Sequence, residues 1–130
     1  NYVEDAGAVT WGSGTSGVIG YISADNSLVG SAPSSFIGSG GITGLTNGNY
    51  VVSSPYWDNG TTPDAGAVTW CNGASATVGF VTTENSLVGS TANDWVGYYG
   101  VESLTNGKYL VSSPFWDNST AVDAGAPQVL

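Results

Sequence analysis

The sequence predicts an all-β protein, and three observations carry that prediction. Apolar runs are short, Gly or Asn-Gly interrupts the chain about every ten residues, and no segment spaces its apolar residues at the helical period. A tandem repeat organises these signals. Asp5-Ala6-Gly7-Ala8-Val9-Thr10-Trp11 returns as Asp64-Ala65-Gly66-Ala67-Val68-Thr69-Trp70 and starts again at Asp123-Ala124-Gly125-Ala126, a period of 59 residues. Residues 5–63 match residues 64–122 at 31 of 59 positions, too many for chance, so residues 1–130 read as one repeat region: 5–63, 64–122 and the truncated start of a third unit at 123–130.

The elements follow in order within the second copy. Ala65–Trp70 alternates small and large residues as a strand does, and Thr77–Thr82 is a second strand ending at the Glu84-Asn85 turn. Ser86–Gly89 extends it or forms a short edge. Trp95–Leu104 then leads into Asn106-Gly107, with Tyr109–Ser113 directly after. Asn-Gly between apolar runs signals a hairpin, because both residues tolerate the positive φ of a type I′ turn; the first copy has it at Asn47-Gly48. Pro55 and Pro114 end their strands, since proline has no N–H for a ladder. About four antiparallel strands per repeat is the size of a β-propeller blade, two blades per chain. A two-repeat β-sandwich or an open stack of sheets is the alternative. Trp11, Trp70, Phe36, Trp95, Phe80 and Tyr21 are expected in the core.

Charge is sparse and one-sided: Lys108 is the only basic residue against ten carboxylates, a net charge of −9. Such a chain has nothing to replace the counterions of a phosphate backbone or to grip an anionic bilayer, so nucleic acid and membrane surfaces are excluded as partners. The apolar runs are too short to insert in a membrane as a helix. Gly, Ser, Thr and Asn supply the polar surface, Met is absent and trypsin sites are few, which suits an extracellular or cell-surface setting. Asn1 reads as a processed or excised terminus. Cys71 stands where the first copy has Gly12 and belongs to no disulfide framework; it reads as a tolerated thiol, with an intermolecular disulfide as the other possibility.

Two resemblances emerge from these residues. Val96-Gly97 before the hairpin, Tyr109–Pro114 after it and Gly66–Trp70 closing the unit resemble the FG-GAP blades of integrin-type propellers. More closely, Asn47–Gly60 followed by Asp64–Trp70 resembles repeats of unknown function in very large bacterial secreted and haemagglutinin-like surface proteins. That resemblance spans nearly the whole chain and implies location and architecture rather than an activity. FG-GAP blades often carry a calcium loop of alternating aspartates, and Leu45-Thr46-Asn47-Gly48-Asn49 has no carboxylate.

Without His there is no Ser-His or Cys-His nucleophile and no imidazole ligand. Two carboxylates suffice for a glycosidase, but the acids Asp5, Asp64 and Asp123, and Asp58 and Asp117, recur with similar neighbours, whereas acid and base roles need unlike environments. The expectation is a non-enzymatic module. For ligands, Trp57-Asp58-Asn59 and Trp116-Asp117-Asn118 each put an indole beside a carboxylate and an amide just past a strand end, a chemistry that suits stacking of a glycan; packing of these Trp is the plainer reading. The loops Asp58–Asp64 and Asp117–Asp123 are weak calcium candidates through Asp58, Asp64, Asp117 and Asp123, and otherwise their Asp side chains cap turns. No other cofactor is implied. Two blades cannot close a ring, and each end of the repeat pattern supplies what the other lacks, so copies of the chain are expected to join head to tail as a ring or a filament. A structural or adhesive building block is the leading reading and an oligomeric carbohydrate-binding lectin the second.

Overall fold

The structure, a computed structural model, describes the backbone of residues 2–129 and the side chains of residues 2–125; Asn1 therefore lies outside it. Ten strands form in chain order: β1 Ala8–Val9, β2 Leu28–Val29, β3 Gly41–Gly44, β4 Tyr50–Ser54, β5 Ala67–Cys71, β6 Gly79–Phe80, β7 Ser86–Val88, β8 Val101–Ser103, β9 Tyr109–Ser113 and β10 Ala126–Val129. A single 3₁₀ turn at Thr105–Gly107 is the helical content of the described residues.

One four-stranded antiparallel sheet, in the order β3-β4-β5-β7, takes its hairpin from the first repeat and its other two strands from the second. It straddles the repeat boundary. Shifted by 59 residues, β1 and β2 are the last two strands of an equivalent sheet, and β8, β9 and β10 the first three of another. The first of these partial sheets gains a third strand from the following repeat: β6 pairs parallel to β2, with Leu28 opposite Gly79 and Val29 opposite Phe80. The strands are thus all-β as expected, but the four-stranded unit is out of phase with the sequence repeat. Among the described residues no sheet closes into a barrel.

The sheets are layered through two apolar clusters. Leu28, Ile37, Val52, Trp57, Ala67, Cys71 and Val81 fill the space between the first sheet and the complete one. Leu45, Val51, Val68, Val96, Tyr109 and Val111 fill the space between the complete sheet and the third. Neighbours Val51 and Val52 serve opposite clusters, as do Ala67 and Val68, because successive strand residues face opposite sides. The central strands β4 and β5 are consequently buried on both faces for most of their length, which is why they carry consecutive apolar residues instead of an alternating pattern.

Strand ends at Ser54 and Ser113 fall just before Pro55 and Pro114, as expected. Both hairpins form with three residues in the loop, but their turns differ. Asn106 (φ 60°, ψ 31°) and Gly107 (φ 75°) are both left-handed, as a type I′ turn requires, whereas in the first copy only Gly48 is. The tips stack on each other: Thr46 Oγ1 accepts the Gly107 N–H at 2.9 Å, and a Cβ on Gly107 would overlap the Asn47 side chain. Thr43 Oγ1 donates to the Val101 carbonyl at 3.2 Å, tying β3 to its equivalent β8.

Two strand expectations are corrected. Trp95–Leu104 is not one strand, for Trp95, Gly97 and Gly100 all have positive φ and fold residues 95–100 into turns before β8 begins. Thr77–Thr82 is extended as a ladder strand only at Gly79–Phe80. The core list changes as well. Trp70, Phe36, Phe80 and Tyr21 are exposed, and Trp11 and Trp95 are half-buried. Trp11 is covered because its Nε1 donates to the Gly73 carbonyl of the following repeat at 3.0 Å; the same cover for Trp70 would belong to a third repeat.

The constant Asp-Ala-Gly segment is a docking strip for main chain. Carbonyls of Pro63, Asp64, Ala65 and Gly66 accept the N–H groups of Asn93, Trp95, Val96 and Gly89, each at 3.1 Å. Glu4, Asp5, Ala6 and Gly7 receive Ser34, Phe36, Ile37 and Gly30 in the same way, at 2.9 to 3.4 Å. The backbones come so close that a Cβ on Gly66 would overlap the main chain of Val96, and Gly66 also has φ +81°. Gly66→Ala is therefore expected to lower stability by about 3 kcal/mol or more in chemical denaturation. Gly14→Ala, at a glycine with open space and no positive φ, should change it by less than about 0.5 kcal/mol.

Candidate functional site

The Trp-Asp-Asn segments follow the Pro that ends each hairpin strand, as the sequence implied, but their groups are used inside the fold. Trp57 is 6% exposed within the first apolar cluster. No indole face is left for a sugar there, which corrects the stacking expectation for Trp57: the first and complete sheets close over the ring. Its backbone is engaged too, for the Trp57 carbonyl accepts the Gly66 N–H at 2.9 Å, and Trp116 repeats this with Gly125 at 3.0 Å. Trp116 is half-buried.

Asp58 Oδ1 accepts the Asp64 N–H at 2.9 Å, and Asp117 Oδ1 accepts that of Asp123 at 2.7 Å. Between these ends Asn59 exchanges both backbone bonds with Thr62, and Asn118 with Ala121. The loops are thus closed by their own carboxylates in the turn-capping manner. Asn59 Nδ2 donates to the Gly89 carbonyl at 3.0 Å, while Asn118 is exposed. Asp5, Asp64 and Asp123 share a left-handed backbone, with φ 54°, 52° and 52°. Asp tolerates that conformation far better than most residues, a reason for the repeated Asp that needs no ligand. Among the described residues no three His, Cys, Asp or Glu side chains gather as a metal site would require.

Asp94, inside the Ala-Asn-Asp-Trp stretch, is the acid that the sequence did not single out. It is fully buried. Its Oδ2 accepts the N–H groups of Ser90 and Thr91 at 3.0 and 2.9 Å, and its Oδ1 accepts that of Asp117 at 3.0 Å. Three charge-assisted bonds to backbone stand in for water around this carboxylate and fix the start of the second acidic loop to the docking loop. In the first copy the place belongs to Ser35, also buried, whose hydroxyl donates to the Ala32 carbonyl at 2.8 Å. A single Asp replacing Ser within a repeat was the available signal.

Exposed and half-buried aromatics together make a row. Phe36 lies edge-on to Tyr56 (ring centroids 6.2 Å apart), Tyr56 to Tyr98 (6.5 Å), and Tyr98 stacks on Trp95 at 5.4 Å. Phe115 meets Trp95 edge-on at 5.3 Å and stacks on Tyr99 at 5.8 Å. Loops from both repeats contribute, and Tyr98 and Tyr99 stand where the first copy has Ser39 and Gly40. Tyr99, 64% exposed, ends the row at an open groove of about 270 Å³ lined also by Gly100, Val101, Glu102, Leu110 and Ser112. The aromatic face of Tyr99 there lies beside the Glu102 carboxylate and the Ser112 hydroxyl.

Cys71 is buried in the first apolar cluster, and burial pushes its thiol pKa up, against a smaller opposing pull from the Thr77 and Tyr50 hydroxyls. A protonated, covered thiol neither attacks nor pairs across a surface.

These features define an all-β tandem-repeat protein whose polar side chains serve mainly to close its own turns and loops. The chain belongs to the family described as Repeat of unknown function (DUF5650), whose model matches residues 1–39, 44–98 and 103–127. No curated protein and no solved structure matches it.

Asp64 offers a pH test of this loop. Burial, and next the Asp58 charge, raise its pKa above the ordinary carboxylate value, while the nearby Trp95 indole opposes the shift. The fold therefore disfavours ionised Asp64: this cost is absent below the unfolded-state pKa and grows as pH rises through the folded one. Asn keeps the left-handed backbone without the charge. Asp64→Asn is expected to melt at a higher temperature than the parent at neutral pH, and the gap should close as pH falls to about 3 in thermal scans.

Proposed function

We propose that the chain is a non-enzymatic structural and adhesive repeat module, working outside the cell or on its surface and built to join further copies of itself. The observation that carries this reading is the interleaving of repeats. The complete sheet draws its strands from two repeats, and hydrogen bonds such as Trp11 to Gly73 and Thr43 to Val101 join one repeat to the next. The two partial sheets each hold part of the same pattern. Further copies extend the layers as propeller-type blades, closing a ring or continuing as a filament. The absence of His, with Lys108 the sole base, supports a non-enzymatic role. The Gly, Ser, Thr and Asn surface and the likeness to bacterial surface-protein repeats support the extracellular setting.

Native mass spectrometry and analytical ultracentrifugation test the assembly. Species at multiples of the chain mass are expected, and because each chain carries a charge of −9, they should grow with ionic strength as repulsion between copies is screened. A monomer at all concentrations and salts would remove self-association from the reading.

The second reading, a lectin, is favoured by the aromatic row and its groove. If it holds, a glycan array shows saturable binding that Tyr99→Ala abolishes while the melting temperature stays within a few degrees of the parent. A blank array leaves the structural role.

A further inference from the structure

The two copies of one segment differ in a way that points to a missing neighbour. In the second repeat, Val78–Val81 crosses to the preceding sheet: Gly79 N–H donates to the Ser27 carbonyl at 3.0 Å and Val81 N–H to the Val29 carbonyl at 3.2 Å. Val81 becomes 2% exposed there. In the first repeat the same places are Ile19–Ile22, and Ile22 is 67% and Tyr21 97% exposed. The receiving edge shows the complementary contrast. Leu28 on β2 and Ser27 just before it are fully buried, whereas their equivalents Leu87 and Ser86 on β7 are only half-buried.

The uncovered segment already has the shape of the covered one. Asn26 Nδ2 donates to the Tyr21 carbonyl at 2.8 Å and Asn26 Oδ1 accepts the Ser23 N–H at 2.9 Å. Asn85 makes the same two bonds, each at 2.9 Å, with Phe80 and Thr82. A segment held in its docked form before docking loses little conformational freedom on binding.

We infer that Ile19–Ile22 of one copy adds as a parallel strand to the β7 edge of a second copy, with Gly20 opposite Leu87 and Tyr21 opposite Val88. The inference rests on the self-associating reading and names its interface. The internal β2–β6 pairing supplies the register, the two donor bonds, Gly20 N–H to Ser86 and Ile22 N–H to Val88, and the apolar cover for Ile22. The incoming copy brings its β1 to the place beside β9 that β10 takes within the chain. It replaces β10 there, whose Pro127 has no N–H to give to a further strand, with the Ala8–Val9 strand of the same repeat phase. One complete four-stranded sheet, β8-β9 of one copy with β1-β2 of the next, results.

The test compares the full chain with Ile22→Lys, which buries an unpaired ammonium only if the interface forms, and with Val78→Lys, an exposed apolar position on the segment already docked within the chain. Sedimentation equilibrium over micromolar to near-millimolar concentrations is expected to show self-association weakened about tenfold or more by Ile22→Lys. The melting temperature of the dilute protein and the behaviour of Val78→Lys should stay unchanged. Association indifferent to Ile22→Lys overturns this interface and leaves self-association standing; a chain monomeric throughout overturns both. Should the lysine variant not fold, the double variant Tyr21→Cys, Val88→Cys decides. Oxidation giving disulfide-linked chains supports the register, and none overturns it, with Cys71 too buried to interfere.

Discussion

The four consecutive carbonyls of Pro63 to Gly66 each accept an N–H from the loop at Gly89–Val96, and the rest of the repeat is arranged around that main-chain strip. The strip works because nothing stands in its way. Asp64 takes a left-handed turn that brings the chain in, Ala65 is fully buried with the smallest side chain that still has a Cβ, and Gly66 has none where the two backbones touch. The next residues, Ala67 to Cys71, leave directly as the third strand of the complete sheet. One short segment thus satisfies the polar groups of an irregular loop and aims a strand. Buried loops are rare because their backbone groups lack partners, and this strip supplies the partners.

From there the layering follows. A loop pinned by its backbone can lend a side chain to the layer between two sheets, and both copies do so alike: Ile37 serves the first cluster and its equivalent Val96 the second. Each layer of apolar residues therefore mixes strands of one sheet with loop residues tied to another. The buried acid Asp94 does the same in polar form, with one oxygen holding its own loop and the other reaching the next acidic loop. Folding such a repeat alone would leave half of each cluster in water, so neighbours are part of its stability.

Local chemistry was legible in the sequence and the phase of assembly was not. Asn47-Gly48, Asn106-Gly107, Pro55 and Pro114 mark turns and stops through their own backbone preferences, and hairpins and strand ends stand where those residues put them. Which repeat supplies which strand depends on contacts between copies, and a 59-residue period is silent about where in the period a sheet begins. Trp57 illustrates the limit: an indole after a strand end reads equally as platform or packing group, and only the closure of the neighbouring sheet decides. The run Trp95–Leu104 looked extended because its apolar residues are continuous, yet Gly97 and Gly100 were the signs that it turns. The exchange of Ser39-Gly40 for Tyr98-Tyr99 was visible but had no meaning until Phe115 lay beside them.

The parallel pairing of β6 with β2 runs one way, from a later repeat back to an earlier sheet. Repeats linked like this overlap as roof tiles do, and the two ends of a row are not alike: one end shows an unused tongue, the other an unfilled slot. Damage travels accordingly. Opening a repeat at the slot end strips the cover from the sheet before it, while losing one at the tongue end leaves the next sheet's slot filled. A row of these modules has a direction of wear built into its hydrogen bonds.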